Sequence, residues 1–297
     1  MDERTAEFER HRGRLFGTAY RMLGSRSDAE DIVQEAYLRW HEADGEQIRS
    51  AAAWLVTVVT RLCIDRLRAA AVERQRYTGP WLPEPIVAAP TPTPEAQMEL
   101  ASDLSVAFLT MLERLSPEER AVFLLRGVFD CAYPEIARIL GKSEPACRQM
   151  LHRARERVHN EQVRFETNEQ EQRRLLEQFT AAMRTADETA LQAIFAVDST
   201  LTSDGGGKAH AARKIIFGGE RVARLFRGVA RKGRISFAPA TVNGEHGLVL
   251  FLNHRPMSVL TIQTTGGRIA AVYHQMNPDK LKDLESIFPE GAGLARI

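Results

Sequence analysis

The chain has 297 residues, 44% of them hydrophobic and 27% charged, with a formal net charge of +1. That composition is globular, leaves room for two or three domains and excludes a disordered chain. A net charge so close to zero points to no polyanionic partner, so any nucleic-acid contact must rest on local basic segments such as Arg148–Arg157.

The longest apolar run, Ala51–Val59, falls far short of the roughly 20 residues a membrane-spanning helix needs, and the start, MDERTAEFERHR, has no apolar signal segment. The expectation is a cytoplasmic protein with no membrane partner. Cys63, Cys131 and Cys147 are widely spaced within helical patterns. This fits neither a zinc site nor a disulfide framework, and predicts buried free thiols with no metal and no cofactor.

Phe8, Leu15, Phe16, Ala19 and Leu23 mark a first helix that ends at Gly24. Ser27-Asp28-Ala29-Glu30 then reads as a capping box. The helix after it buries Ile32, Val33, Ala36, Tyr37 and Trp40 and leaves Asp28, Asp31, Gln34, Glu35 and Arg39 outside. An acidic outer face suits a basic protein partner, although a merely solvated face is the commoner fate of such residues. WLVTVVT is rich in β-branched residues, yet the preceding alanines, the helix-forming RLCIDRLRAA and the spacing of Leu55, Val58, Val59 and Leu62 predict a helix.

RLFGTAYRMLGSRSDAEDIVQEAYLRW resembles conserved region 2 of the bacterial sigma factors of the extracytoplasmic-function (ECF) group. The resemblance implies that Asp31, Gln34, Glu35 and Leu38 clamp the beta-prime coiled coil of core RNA polymerase. AWLVTVVTRLCIDRLR is similar to the helix that faces the promoter −10 element, with Arg49, Arg61, Arg66 and Arg68 as candidate phosphate contacts and Glu42–Ser50 as the matching base-capturing loop. Trp54 either stacks on an unpaired base or packs in the core; packing is the commoner role.

TGPWLPEPIVAAPTPTPEAQ contains six prolines, which argue against regular helix or sheet and for an extended linker over 76–97. Trp81 and Leu82 are too apolar to float freely, so something should cover them. WLPEP is similar to the signature of an ECF subgroup with a fused C-terminal extension.

Leu104, Phe108, Met111, Leu112 and Leu115 predict an amphipathic helix, and Ser116-Pro117-Glu118-Glu119 a capped start to the next. Ala132–Val158 reads as two helices around Gly141-Lys142, the second starting at an N-cap Ser143. Cys147, Leu151, Ala154 and Val158 make its buried face. This is either a DNA-binding helix-turn-helix or an ordinary hairpin with a solvated basic face. SPEERAVFLLR and LHRAR resemble sigma region 4, which reads the −35 element. Arg148, Gln149 and Arg153 are then the candidate base contacts, and Lys142, Arg155 and Arg157 the phosphate contacts. Ala132 departs from the family, which has Ser or Thr at that N-cap; Pro134 and Glu135 offset part of the loss.

After Phe165 two helices (one through Leu175–Met183, then Glu188–Phe195), the stretch STLTSDGGGK and a helix near Glu220–Val229 precede predicted strands at Ile235–Val242, Leu248–Asn253, Ser258–Thr264 and Arg268–Gln275. Gly266-Gly267 is a hairpin turn. Helices followed by antiparallel strands suggest an α+β cone, similar to SnoaL-like domains. DGGGK and NPDKL resemble the remaining two signatures of the ECF subgroup. Asp204, Gly205, Gly206, Gly207 and Lys208 can form an anion nest, a tight loop for close packing against another domain, or a plain surface turn. The resemblance favours close packing and makes this loop, with Trp81 and Leu82, an interdomain regulatory contact. Acid–base chemistry by Asp204 with His210, His246, His254 or His274 needs two of these to converge.

The expected architecture is multidomain: sigma region 2 over 1–75, the linker over 76–97, sigma region 4 over 98–165 and an α+β SnoaL-like regulatory cone over 168–288. The expected function is a non-enzymatic sigma factor whose partners are the beta-prime and beta subunits of core RNA polymerase and promoter DNA, with a small-molecule ligand of the C-terminal pocket left open. The alternatives are a ligand-sensing helix-turn-helix regulator that needs no polymerase, and a SnoaL-like cyclase or isomerase with a helical appendage.

Overall fold

The computed structural model describes residues 2–44, 48–88, 104–162, 168–232 and 235–288, with the backbone alone for 159–162. It divides into two compact units that do not follow chain order. Met1–Arg76 with Leu109–Glu161 form one, and Tyr77–Phe108 with Gln162–Ile297 form the other.

In the first unit α1 (Glu3–Leu23) stops at Gly24 in the left-handed conformation, φ 65°. Helix α2 (Arg26–Glu42) begins at once, capped by Ser25, whose Oγ accepts from the Asp28 amide at 3.2 Å. The cap expected at Ser27 therefore sits two residues earlier. The left-handed glycine already reverses the chain, so Ser27 falls inside the first turn. Helix α3 (Ala51–Gln75) contains the β-branched WLVTVVT run, capped by Ser50 and with Leu55, Val56, Val59, Cys63 and Leu67 buried. Tertiary packing overrides the strand propensity of that run.

Helix α4 (Val106–Leu112) starts after Leu104, not at it, because Ser105 Oγ accepts from the Phe108 amide. Helix α5 (Pro117–Gly127) carries the full Ser116/Glu119 capping box with proline in its first turn. Helix α6 (Tyr133–Leu140) has no side-chain cap at Ala132 and ends at left-handed Gly141. Helix α7 (Glu144–Gln162) buries Cys147, Leu151, Ala154 and Val158, the face its spacing predicts. All three cysteines are buried free thiols. No helix among the described residues is long and apolar enough to cross a membrane.

The second unit pairs α8 (Glu169–Thr185), α9 (Glu188–Ile194) and α10 (Gly219–Arg231) with a seven-stranded sheet. The strands are β1 (Val87–Ala88), β2 (Phe195–Asp204), β3 (Ile216–Phe217), β4 (Ile235–Val242), β5 (Glu245–Leu252), β6 (Arg255–Thr265) and β7 (Arg268–Gln275). Their order is β1-β4-β5-β6-β7-β2-β3, antiparallel except for the parallel β2/β7 pair. A short 3₁₀ turn (Pro278–Lys280) and α11 (Leu284–Ile287) follow.

One sheet face, through Leu201, Leu248, Leu250, Leu260, Ile262 and Val272, packs on Leu175, Phe179, Val222 and Phe226 of the helices. The opposite face, through Ala240, Val249, Phe251 and Val259, carries Val106, Leu284 and Phe288. The residues up to Asp204, expected to run without a strand into the glycine loop, are strand β2. The proline-rich linker, expected to hold no sheet, contributes β1 in the proline-free step Val87-Ala88, where Val87 pairs with Val242 and Ala88 with Thr241. Pro90, Pro92 and Pro94 lie outside the described residues.

Candidate nucleic-acid interface and linker clasp

On α2 the buried stripe Ala29, Ile32, Val33, Ala36 and Trp40 turns Asp31, Gln34 and Leu38 outward. Leu38 is 51% exposed, and Glu35 beside it pairs with Arg39 at 2.9 Å. The four candidate polymerase-contact residues thus share one outward face, acidic around an exposed leucine. Trp54 packs on Trp40 with ring centroids 5.6 Å apart, and the Trp40 indole donates to the Arg4 carbonyl.

The basic side chains of α3 are engaged within this unit. Arg61 Nε donates to the Ile139 carbonyl at 2.9 Å and Nη2 to the Arg138 carbonyl at 3.1 Å, so a cation sits on the C-terminal carbonyls of α6. Arg68 meets Glu118 in the first turn of α5 at 2.5 Å. Burial disfavours the Glu118 carboxylate, but the Arg68 hydrogen bond, a backbone hydrogen bond and the charges of Arg68 and Lys142 outweigh it and hold its pKa below the usual range. Arg66 pairs with Asp28 on α2 at 3.0 Å. Arg49 is exposed, while residues 45–47 of the adjoining loop lie outside the described set.

Arg120, almost wholly buried, donates from Nη1 to the Met22 carbonyl at 2.6 Å and to Glu113 at 2.7 Å, and desolvation pulls its pKa down to about 9. Glu113 also pairs with Arg74. No local sequence signal marks Arg120 and Glu113, whose partners lie on other helices.

Along α7, Arg148, Gln149 and Arg155 are exposed, as is Lys142 in the turn before it. Arg153 and Arg157 keep half their surface exposed and turn toward Glu119, at 3.5 and 2.6 Å. Glu119 already bonds the Ser116 amide, so one carboxylate closes the α5 cap and anchors two arginines of α7.

In the second unit the WLPEP, DGGGK and NPDKL strings converge on one carboxylate. Asp204, at the end of β2, is fully buried. It accepts from Tyr77 Oη at 2.6 Å, the Leu82 amide at 2.9 Å, the Gly206 amide at 3.0 Å and Lys280 Nζ at 2.7 Å. Lys280 also donates to the Leu82 carbonyl, and its ammonium lies 4.1 Å from the Trp81 ring centroid and 5.1 Å from that of Tyr77. Burial pushes the Tyr77 hydroxyl's pKa up, reinforced by its bond to Asp204 and that residue's charge. Gln275 Nε2 reaches the Pro83 carbonyl, and Asn243 brackets the strap further on, accepting from the Ile86 amide and donating to the Leu104 carbonyl. Leu82, which the sequence requires to be covered, is fully buried.

The glycine loop is shaped for close approach. Gly206 and Gly207 have φ of 59° and 74°. A Cβ on Gly206 would stand 2.3 Å from Asn277 Nδ2, and one on Gly207 3.2 Å from the Thr78 side chain. The amides of Lys208 and Ala209 both bond the Gly205 carbonyl, and that of Gly206 bonds Asp204, so the loop's anion is its own aspartate. Lys208 pairs with Asp279 at 2.6 Å and is exposed; that hydrogen bond holds the Asp279 pKa below the ordinary range. Tyr77, Gln275, Asn277 and Lys280 escaped the sequence reading as individual residues, although NPDKL had marked the place.

Asp204 and His274 do not converge. In the β2/β7 register Ser203 pairs with His274 and Asp204 with Gln275, which puts the two on opposite sheet faces. His274 bonds Ser258 at 2.9 Å beside the Phe226 ring, and desolvation lowers its pKa to about 4. His210, His246 and His254 lie on loops or at the sheet margin. Among the described residues no group of three or more His, Cys, Asp or Glu could hold a metal ion.

Residues 8–72 match the family model for sigma-70 region 2, and residues 105–158 the model for sigma-70 region 4. The chain is 38% identical over 288 residues to the ECF RNA polymerase sigma factor SigJ of Mycobacterium tuberculosis, covering 93% of this chain and 92% of that one. It is 29% identical to the probable ECF RNA polymerase sigma factor SigI of the same species, over 96% and 97% of the two chains. The crystal structure of M. tuberculosis SigJ superposes with a TM-score of 0.77 at 33% identity, over 94% of this chain and 98% of that one. Two sigma-70 regions, and a relationship that runs on through the C-terminal helix-and-sheet domain, place this chain among the extracytoplasmic-function RNA polymerase sigma factors.

Proposed function

We propose that the outward face of α2, with Asp31, Gln34, Glu35 and Leu38, docks on the beta-prime subunit of core RNA polymerase, and that the linker approaches the beta subunit. Arg49, Arg61, Arg66 and Arg68 then serve the −10 element. Lys142, Arg148, Gln149, Arg153, Arg155 and Arg157 serve the −35 element. The observation that carries this reading is the exposed acidic face around Leu38 on a helix inside the matched region 2. The protein acts where core polymerase is, in the cytoplasm, and promoter choice is its activity rather than turnover of a substrate. The region divisions at 75, 97, 165 and 168 are proposed on the same grounds.

The cone is proposed to regulate by holding the linker. Asp204, the glycine loop and Lys280 grip Tyr77–Leu82, and the linker must follow whatever path polymerase imposes. The domain is tethered, so its effective concentration is around millimolar, and a contact with an intrinsic Kd of roughly 10 μM would be about 99% engaged. A small molecule in the groove between α8, α9 and the β6–β7 turn, of about 690 Å³, is a second way to bias that grip.

The test is promoter-specific transcription by core polymerase with the full chain, a chain ended near residue 167, and Asp204→Asn and Lys208→Ala variants. Indistinguishable activities would remove the regulatory reading. Retention of core polymerase by Asp31→Arg would remove the docking face.

A further inference from the structure

Arg148, one turn into α7, rests on a built support. Its guanidinium carbon lies 4.7 Å from the centroid of the Tyr133 ring, and Nη2 donates to Glu144 Oε2 at 2.9 Å. Tyr133 is itself half-buried at the start of α6. Arg126 sits 5.6 Å from the same ring and is pinned by Asp130 and the Cys131 carbonyl. Arg148 is 54% exposed at its side chain, so neither contact removes it from solvent.

An exposed arginine gives up rotamer entropy when a ligand fixes it. A planar guanidinium stacked on a ring and held at one edge has already lost part of that freedom before it meets DNA. A guanidinium has five N–H donors, and Glu144 uses one, so the outer fork remains able to bond two acceptors. The N-terminal residues of a recognition helix are those that meet base edges, and arginine to guanine O6 and N7 is the commonest specific contact.

We propose that Tyr133, with Glu144, is a positioning residue that sets the Arg148 fork for bidentate reading of a guanine in the −35 element. This rests on region 4 reading that element. Tyr133 touches no base in this scheme; it acts through Arg148.

The experiment measures promoter binding by the full chain with core polymerase, on −35 elements carrying guanine, 7-deazaguanine or adenine at each position in turn. Arg148→Ala identifies the position it reads. Tyr133→Leu should lower discrimination at that position about 5- to 10-fold, part of the selectivity a bidentate pair supplies. Affinity for nonspecific DNA and its salt dependence should stay unchanged, because no phosphate contact is lost. Tyr133→Phe, which keeps the ring, should behave as the parent. Glu144→Ala leaves the start of α6 intact and should lower the same discrimination by a smaller factor. In an Arg148→Ala background Tyr133→Leu should change discrimination no further.

Unchanged discrimination in both Tyr133→Leu and Glu144→Ala overturns the proposal. So does an equal loss on all sequences, the mark of a merely structural role. If Arg148→Ala alters no position, the −35 assignment of Arg148 falls and this proposal with it, whereas a selective Arg148 with an indifferent Tyr133 sinks the support alone.

Discussion

Two sets of ion pairs hold this protein's functional parts, and they are built differently. In the first unit Arg66–Asp28 is a partly solvated bridge, Arg68 is shared between Glu118 and Asp65 at the surface, and Arg61 rests on helix-end carbonyls. Such contacts contribute little net stability, because water and salt compete for both partners. In the second unit Asp204 is fully buried and saturated by a tyrosine, two amides and a lysine that is itself flanked by aromatic rings. The first kind can exchange its partner for a phosphate at small cost. The second cannot lose a partner without stranding a buried charge. The cations proposed to meet DNA are therefore held by exchangeable contacts, whereas the linker is clasped.

The largest effect is expected at Asp204. Asp204→Ala strands Lys280 and frees Tyr77 and the Leu82 amide, and should destabilise the second unit by about 3–5 kcal/mol. Hydrogen exchange should then rise across 77–88 and at the end of β2, with the first unit little changed. Lys208→Ala, which breaks an exposed pair only 2.6 Å long, should leave exchange in the linker almost as it was. Equal effects of the two substitutions would erase the distinction between clasp and surface bridge.

Next in size is a pH effect confined to the cone. His274 is buried neutral, with its pKa lowered from 6.5 to about 4 by desolvation. The unfolded chain takes up a proton near pH 6.5 that the folded chain refuses until about pH 4. Stability is therefore complete above pH 6.5 and falls through that window as pH drops, by about 3 kcal/mol in all. Hydrogen exchange of β6 and β7 at pH 7 and pH 5 measures it. His274→Gln should flatten the slope that His274 contributes, whereas the Asp204 clasp should show no such dependence on His274.

How much of this was legible in the chain differs between the units for a physical reason. Helical periodicity marked α2 and the helix-turn-helix, because the 3.6-residue repeat of Ile32, Val33, Ala36 and Trp40 is local. The clasp joins Tyr77 to Asp204 across 127 positions and Asp204 to Lys280 across 76, and no local pattern encodes such a pairing. What could be read was the demand for it: an apolar Trp81-Leu82 in a linker, and three glycines beside a carboxylate. Strand β2 was missed because its polar STLTSD end lies against other strands, so burial without hydrophobicity left no signal. The cap at Ser25 was missed because Ser27-x-x-Glu30 imitates a capping box while the chain reverses two residues earlier.

Ala132 offers a smaller test, in the first unit. It lies at the N-cap of α6 with extended backbone, φ −71° and ψ 150°, and no side-chain cap. A serine or aspartate fits that geometry and can accept from an amide in the first turn. Ala132→Ser should stabilise the first unit by about 1 kcal/mol, read as a higher unfolding midpoint, with no effect on the cone. A neutral result would mean that Pro134 and Glu135 already satisfy the α6 start.

The smallest expected effect on stability is the most informative about the exchangeable contacts. Glu118→Gln removes the charge that holds Arg68 on α5 while keeping the size of the side chain. Its loss should hardly move the unfolding midpoint, since the pair is partly solvated. It should nevertheless raise the affinity of the full chain, with core polymerase, for promoter DNA at low salt, because Arg68 then has only the longer Asp65 contact, at 3.4 Å, to leave before meeting a phosphate. The gain should shrink as salt rises and screens both contacts. If Glu118→Gln weakens promoter binding instead, Arg68 is held by Glu118 in the orientation DNA requires, and the bridge positions the cation rather than storing it.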